Sequence, residues 1–167
     1  HKEGTKTVEK IIKSAIDNKI NYLTLYSFST ENWKRPKKEV NFLLKLLGNY
    51  IDNKLNEFIK NKIKIKIIGD LSKISKKLIK KLKNVEKLTS LNSKIQINVA
   101  LNYGSRQEII KSMKEVKKKS ISFNQKNISK YLYTGNIPDP DILIRTGNTH
   151  RLSNFLLWQL MYTEIFF

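Results

Sequence analysis

Two arginines and a serine stand close together near the end of the chain, directly after a short apolar run. Ile142 to Ile144 predict a buried strand, Gly147 marks a turn, and Arg145, Arg151 and Ser153 lie around that turn. A guanidinium can bind two phosphate oxygens at once, and open α/β sheets bind ligands at the carboxyl ends of their strands. The stretch therefore predicts a phosphate or diphosphate site, with an ordinary surface loop as the alternative.

Arginine is rare in this basic chain, which makes its positions informative. The sequence has 33 basic and 14 acidic residues and a net charge of +19, yet only four of the basic residues are arginines. Each arginine follows a predicted strand, and the four are Arg35, Arg106, Arg145 and Arg151. Because parallel strands end at one edge of a sheet, we expect the loops 29–35, 102–106 and 145–153 to converge on one anion.

The other basic residues are lysines on the outer faces of predicted helices. A strongly positive chain is a candidate for binding nucleic acid. The lysines extend from Lys2 to Lys130, and none lies between Tyr131 and Phe167. This spread is typical of solvated helix surfaces rather than of a dedicated basic patch. We therefore do not expect a nucleic-acid partner, and a nucleic-acid-binding domain is the least favoured function.

Composition narrows the remaining possibilities. The chain has no cysteine, which excludes disulfides and thiolate metal sites. No apolar run approaches the roughly 20 residues that a membrane-spanning helix needs. We expect a cytoplasmic protein, with peripheral contact to a membrane as an additional option.

Hydrophobic periodicity predicts an alternation of helices and strands. The predicted elements include segments 5–18, 22–28, 37–60, 63–68 and 95–101. Such alternation is typical of an α/β domain with a mostly parallel central sheet and helices on both faces. No linker divides residues 1–167, so we expect a single domain. Since the chain opens on a helix, we expect the first strand of the sheet to be missing from this sequence and to lie upstream of it.

Two predicted helices carry more specific expectations. Ser105 and Glu108 fit a capping box, which would begin a helix whose apolar residues are Ile109, Met113 and Val116. The helix at 37–60 has an apolar surface wider than a single stripe. That surface indicates either packing on two sides or one wall of a cavity for an apolar ligand.

Several polar residues admit both a structural and a chemical role. Asn32 is either a turn former or an amide that orients a substrate or relays a proton, and Trp33 is typical of packing. Glu164, the single acid in an apolar C-terminal segment, is either hydrogen-bonded structure or a ligand for a hard cation such as Mg²⁺. His1 and His150 are compatible with plain surface positions.

Three segments resemble the cis-prenyltransferase family. They are SFSTENWKRP (27–36), NYGSRQEI (102–109) and IRTGNTHRLSNFLLWQLMYTEIFF (144–167), and the likeness extends over nearly the whole chain. The resemblance implies a homodimer that condenses isopentenyl diphosphate with an allylic diphosphate, such as farnesyl diphosphate, in cis. It also implies Mg²⁺ as the cofactor and a long, undecaprenyl-type polyprenyl diphosphate as the product.

Matched position by position, the resemblance also implies roles for individual residues. Asn32 corresponds to an asparagine proposed to help remove the proton, and Glu164 and His150 correspond to metal-associated positions. The implied substrate contacts are His1, Ser29, Thr30, Glu31, Trp33, Arg35, Arg145, Arg151, Leu152 and Ser153. The apolar face of helix 37–60 corresponds to a wall of the family's product tunnel.

The sequence departs from the family pattern in two respects. The family's first strand and the aspartate loop that follows it have no counterpart in residues 1–167, and the family's C-terminal tail is shortened. We therefore expect this sequence to be a truncated form of a longer, active protein. The alternative is a catalytically inactive relative, which is either a partner subunit or a relic. Retention of Asn32, Arg145, Arg151 and Ser153 favours the enzyme.

Overall fold

The computed structural model describes residues 2–167, so the predicted substrate contact His1 lies outside the described residues. The helices and strands follow one another in the alternating order that the periodicity predicts. They are α1 (Lys2–Asp17), β1 (Tyr22–Ser29), a 3₁₀ helix (Thr30–Lys34), α2 (Lys37–Lys60), β2 (Ile63–Ile68), a second 3₁₀ helix (Leu71–Lys73), α3 (Lys76–Leu88), β3 (Ile95–Tyr103), α4 (Ser105–Lys118), α5 (Gln125–Lys130), β4 (Ile142–Ile144) and β5 (Glu164–Phe166).

Three strands form a parallel sheet in the order β1-β3-β2. Leu23 of β1 and Ile65 of β2 both pair with Ile97 of the central strand β3. The alternation of isoleucine and lysine in β2 indicates either a strand with one solvated face or an edge position, and β2 is an edge strand. The α/β prediction with a parallel central sheet is confirmed.

The main core lies on the isoleucine face of this sheet. Ile65, Ile97 and Leu101 are at most 4% exposed, and they pack in one cluster with apolar residues of α1, α2 and α3. Burying a side chain of this size contributes about 1.5–3 kcal/mol to folding. Side-chain caps begin some of these elements: the Ser75 hydroxyl accepts a hydrogen bond from the backbone N–H of Leu78 at the start of α3 (3.3 Å).

The second parallel sheet corrects one prediction. The strand at 142–144 forms, but it pairs with β5 instead of joining β1 and β3. It is also not buried, because Ile142 is 58% and Ile144 72% exposed. An apolar run of three residues identifies a short strand but not which of its faces is covered.

The predicted capping box is wrong, and Met113 does not face the core. The N-cap of α4 is Gly104, and Ser105 is already its first helical residue. The Ser105 hydroxyl instead accepts a hydrogen bond from the backbone N–H of Leu157 (2.9 Å). Met113 is 42% exposed, and the buried residues of α4 are Ser105, Glu108, Ser112 and Val116. Polar partners elsewhere in the fold, rather than apolar spacing, decide which face of α4 is buried.

The buried carboxylate of Glu108 explains why its own face of α4, and not the face that carries Met113, points inward. It is 2% exposed and accepts hydrogen bonds from the Tyr103 hydroxyl (2.5 Å), the Gln159 amide (3.1 Å) and the Tyr133 backbone N–H (2.7 Å). Burial, followed by the negative charge of Glu108, raises the pKa of Tyr103, so its hydroxyl stays protonated and donates. One side chain thus joins the end of β3 to two segments of the C-terminal third.

Replacing Glu108 with alanine should destabilise the fold strongly. The Tyr103 hydroxyl, the Gln159 amide and the Tyr133 N–H would all lose this acceptor, and unsatisfied buried polar groups cost about 1–3 kcal/mol each. We expect a loss of about 3 kcal/mol or more in the free energy of unfolding, measured by urea denaturation. Glu115→Ala is the control on the same helix, since Glu115 is only half-buried. It should change stability by less than about 0.5 kcal/mol, and equal losses for the two variants would contradict the assigned network.

Candidate active site

The loop after β1 is a 3₁₀ helix rather than the irregular loop that the sequence predicted. The Asn32 side-chain oxygen accepts a hydrogen bond from the Ser29 backbone N–H (2.9 Å), which closes the turn. The Trp33 indole N–H donates to the side-chain oxygen of Asn102 (2.6 Å), and the Trp33 ring meets Phe28 edge-on. Asn32 is therefore held in one orientation, and Trp33 packs as its residue type indicated.

Asn102 joins the carboxyl ends of all three strands of the main sheet. It is the penultimate residue of β3, it is 4% exposed, and it accepts from Trp33, which follows β1. Its amide donates to the backbone oxygen of Asp70, which follows β2 (2.5 Å). Gly69 permits this approach, because with φ +127° a Cβ there would lie 2.0 Å from the Leu101 carbonyl oxygen.

The loop at 145–153, which we call the arginine loop, is organised by Arg145 itself. Its Nε donates to the Thr149 hydroxyl (2.9 Å), and its Nη1 donates to the Ser153 hydroxyl (2.8 Å) and to the Arg151 carbonyl oxygen. A lysine has a single donor atom and could not make these contacts in the same geometry. Arg145 thus shapes the loop, while the exposed Arg151 guanidinium has no hydrogen-bond partner among residues 2–167.

The three predicted loops do converge. The Asn154 amide, next to the arginine loop, donates to the carboxylate of Glu31 in the loop after β1 (3.0 Å). Its side-chain oxygen accepts from the backbone N–H of Arg106 in the loop after β3 (2.9 Å). The Tyr26 hydroxyl lies 3.3 Å from the carbonyl oxygens of Tyr103 and Ser153 and can donate to either. Burial and then the charge of Glu31 raise the pKa of Tyr26 to about 12, so it remains a donor at neutral pH.

The arginines are less uniformly placed than the sequence predicted. Arg35 forms an exposed ion pair with Glu39 one helical turn later (2.7 Å). Arg106 takes part in the convergence through its backbone, while its side chain is exposed. Among the four arginines, which all lie within residues 2–167, only Arg145 and Arg151 are in direct contact, through Nη1 of Arg145 and the carbonyl oxygen of Arg151. Spacing along the sequence located the loops, but it did not show which guanidinium would form hydrogen bonds to other parts of the protein.

A second polar group at the convergence, besides the Arg151 guanidinium, has no hydrogen-bond partner among residues 2–167. The Thr30 hydroxyl oxygen is buried and lacks a hydrogen bond within the described part of the chain. A buried polar atom without a partner is costly, and a ligand oxygen would satisfy it. Leu152 is half-buried in the cluster that contains Tyr26 and Tyr103, so its side chain packs under the arginine loop.

The two predicted metal residues do not form a complete metal site. Glu164 is exposed on β5 and pairs in register with Ile142, and the His150 ring lies edge-on to Phe167 (5.2 Å between centroids). No cluster of three or more acidic or histidine side chains suited to a metal occurs across residues 2–167. A lone carboxylate fits Mg²⁺ in one mode, in which substrate phosphates and water supply the remaining oxygens.

The wide apolar face of α2 is only partly used by the core. Val40, Ile51 and Phe58 are buried, whereas Leu43 and Leu47 are half-buried. This burial is compatible both with packing on two sides and with one wall of a cavity for an apolar ligand.

No helix in the described residues has the length and apolar character needed to cross a membrane.

Sequence reasoning missed three residues that build this site: Tyr26, Asn102 and Asn154. Each was passed over because its type is common in strands or turns. The signal that could have identified them is position, since each lies in or beside the segment where a strand meets a predicted substrate loop. A polar residue at the carboxyl end of a parallel strand is placed to hold such loops.

Comparison with known proteins supports one family over the whole length. The family model for undecaprenyl diphosphate synthases matches residues 1–167. A ditrans,polycis-undecaprenyl-diphosphate synthase specific for (2E,6E)-farnesyl diphosphate, from Wigglesworthia glossinidia brevipalpis, is 45% identical over 100% of this chain and 67% of its own length. An isoprenyl transferase from Rickettsia felis is also 45% identical, over 100% of this chain and 72% of its own.

Solved structures agree with the sequence relatives. The crystal structure of a probable undecaprenyl diphosphate synthase from Campylobacter jejuni matches with a TM-score of 0.93 and 41% identity, covering 99% of this chain and 80% of that one. Lavandulyl diphosphate synthase from Lavandula x intermedia matches with a TM-score of 0.89 and 29% identity, covering 94% and 71% of the two chains. The fold, the converging loops and these matches together show that the chain belongs to the undecaprenyl diphosphate synthase family of cis-prenyltransferases.

Proposed function

We propose that this protein condenses isopentenyl diphosphate with an allylic prenyl diphosphate in cis, repeatedly, to build a long polyprenyl diphosphate. In each cycle the allylic carbon–diphosphate bond breaks, a carbon–carbon bond forms to the isopentenyl double bond, and a proton leaves. The observation that carries the proposal is the convergence of the loops after β1, β3 and β4 in a chain of this family. The lavandulyl relative was solved with dimethylallyl diphosphate, which is itself an allylic diphosphate.

The arginine loop is the proposed site for isopentenyl diphosphate. Arg145 holds the loop in shape by donating to the Arg151 carbonyl and the Ser153 hydroxyl, while the Arg151 guanidinium is exposed on the same loop. A guanidinium and a hydroxyl can together bind several diphosphate oxygens. Leu152 lies between Arg151 and Ser153 in the sequence. Its half-buried side chain packs against the apolar cluster and so fixes the backbone of the loop against the core.

The loop after β1 is the proposed site for the allylic substrate. Its Thr30 hydroxyl is unpaired, and the exposed Arg35 side chain lies just before the N-terminus of α2, where a helix dipole favours an anion. The Asn32 amide is held by Ser29 and can orient the reacting end of a substrate or pass on its proton. The apolar face of α2 is the proposed wall along which the growing hydrocarbon chain lies.

Mg²⁺ is the proposed cofactor, which Glu164 and His150 would hold together with diphosphate oxygens. When bound, it supplies positive charge that stabilises the departing diphosphate. The proposal also includes a homodimer in the cytoplasm, with peripheral membrane contact when the apolar product is released. An inactive partner subunit is disfavoured, because the contacts that shape the arginine loop are intact.

Isopentenyl incorporation tests the function directly. The intact protein that carries this sequence, supplied with farnesyl diphosphate, labelled isopentenyl diphosphate and Mg²⁺, should form a labelled butanol-soluble product. Chelation of the metal should abolish that product. A folded, intact protein that incorporates no label would contradict the proposed reaction.

Arg145→Lys should raise the KM for isopentenyl diphosphate by about tenfold, although the charge is kept. The lysine cannot hold Thr149, Ser153 and the Arg151 carbonyl together, so the loop would lose its shape. The KM for the allylic substrate serves as the internal control and should change less than about twofold. Equal increases in both constants would show that Arg145 does not act on the isopentenyl site specifically.

A further inference from the structure

We propose that Asn154 is a positioning residue that fixes the loop carrying Glu31 relative to the arginine loop, and so aligns the two substrates with each other. This inference rests on the proposed function and adds a residue to it. Asn154 needs no contact with substrate for this role. It acts through the residues that it holds.

The side chain and backbone of Asn154 use four hydrogen bonds to join three parts of the site. The side-chain oxygen accepts from the Arg106 N–H (2.9 Å), and the amide donates to the carboxylate of Glu31 (3.0 Å) and the side-chain oxygen of Gln107 (3.1 Å). The backbone oxygen accepts from the Ser105 N–H (2.8 Å). Donor and acceptor atoms are both in use, so the amide has one orientation.

The backbone around Asn154 is equally specific. Asn154 has φ +63° and its neighbour Ser153 has φ +51°, so two consecutive residues lie in the left-handed region. Asparagine is one of the few residue types that adopts this conformation readily. Because Ser153 is the last residue of the arginine loop, a fixed Asn154 also fixes the Ser153 hydroxyl, which Arg145 contacts.

Gly104 provides the space that this arrangement requires. A Cβ at Gly104 would lie 2.7 Å from the Asn154 amide nitrogen, 2.6 Å from the Thr30 hydroxyl and 2.4 Å from the side-chain oxygen of Gln107. Its φ of −155° is open to any residue, so the need for glycine here is spatial. The absence of a side chain at 104 allows the loops after β1 and β3 to meet at Asn154.

The charge of Glu31 is consistent with this contact. Burial alone would raise the pKa of Glu31, but hydrogen bonds from the Asn154 amide and from the backbone outweigh burial and lower it. The Asn154 amide therefore stabilises the ionised carboxylate, and the contact holds at neutral pH.

A positioning role predicts an effect on turnover rather than on binding. Each loop would still bind its own diphosphate, but the reacting carbons would no longer be held at the correct separation. Misplacement by about 1 Å can cost about 100-fold in rate. Loss of the Asn154 contacts should therefore lower kcat while each KM changes little.

The central experiment compares Asn154→Asp, Glu31→Gln and the double variant in the intact protein with Mg²⁺. Asn154→Asp keeps the acceptor for the Arg106 N–H but places a carboxylate against Glu31 and should lower kcat about 100-fold, with both KM values within about threefold of the wild type. When Glu31→Gln is added, the amide at position 31 can donate a hydrogen bond to the carboxylate at position 154. The contact is then restored, with donor and acceptor exchanged. The double variant should therefore regain at least about tenfold in kcat over Asn154→Asp alone.

The control for added charge is Asn136→Asp, because Asn136 is exposed in a turn away from these loops. It should leave kcat unchanged. Circular dichroism melts give the folded fraction of each variant, by which every kcat is corrected. A merely structural role would lower the folded fraction without a charge-specific rescue.

A second variant tests the geometry without changing any donor or acceptor. Gly104→Ala should displace the Asn154 amide and lower kcat at least about tenfold, with a small change in the KM for isopentenyl diphosphate. Gly4→Ala is its control, since a Cβ there meets nothing within 4 Å. It should have wild-type kinetics.

The outcomes separate this inference from the function on which it rests. A wild-type protein that incorporates no isopentenyl units overturns the proposed function and this inference with it. An active wild type overturns the inference alone if Asn154→Asp retains wild-type kcat, or if Glu31→Gln restores nothing in the Asn154→Asp background. Reduced kcat, small KM changes and recovery in the double variant together support the positioning role.

Discussion

The site depends on hydrogen bonds from two asparagine side chains at the carboxyl edge of a small parallel sheet. Asn102 joins the ends of β1, β2 and β3, and Asn154 joins the loops after β1 and β3 to the arginine loop. A primary amide is suited to both positions because it carries a donor and an acceptor on one short, rigid group. Parallel strands bring loops from distant parts of the sequence to one edge, but they do not fix the loops relative to each other. The amides supply that second constraint.

This constraint explains why polar groups are buried where the apolar pattern of the sequence ends. Glu108, Ser105 and Gln159 form contacts that hold α4 to the C-terminal segment, and within residues 2–167 only the side-chain oxygen of Gln159 lacks a partner in this network. A buried polar network stabilises one arrangement only when its donors are satisfied. The same segment contributes Phe155 and Leu156 to an apolar cluster with Tyr26 and Tyr103. Packing and hydrogen bonding thus fix the segment that follows the arginine loop.

The sequence predicted the fold and the location of the site better than its internal contacts. Alternating apolar residues located β2 with the bounds that the structure has, and the order of elements predicted the convergence of the loops at one edge. The failures at Ser105 and Ile144 and the exposure of Met113 share a physical cause. Each depends on which distant residue packs against the side chain. The Ser105 hydroxyl is bound by the backbone N–H of Leu157. Met113 and Ile144 stay exposed, because within residues 2–167 no other residue covers them sufficiently. Local spacing contains no information on such partners. The amide of Asn154 was missed for the same reason, since two of its hydrogen-bond partners lie 48 and 123 residues away.

The use of arginine in this lysine-rich chain follows from the geometry of Arg145. The rarity of arginine and its positions after predicted strands indicate an anion site. In the structure Arg145 directs two of its nitrogens to Thr149, Ser153 and the Arg151 carbonyl, so its first role is to shape a loop. A planar group with several fixed donors suits this role, while a lysine ammonium on a flexible stem does not. Arg151, whose carbonyl is held and whose guanidinium is exposed, remains available for a ligand. One arginine therefore builds the loop on which the other is presented, and the two are not interchangeable although both carry the same charge.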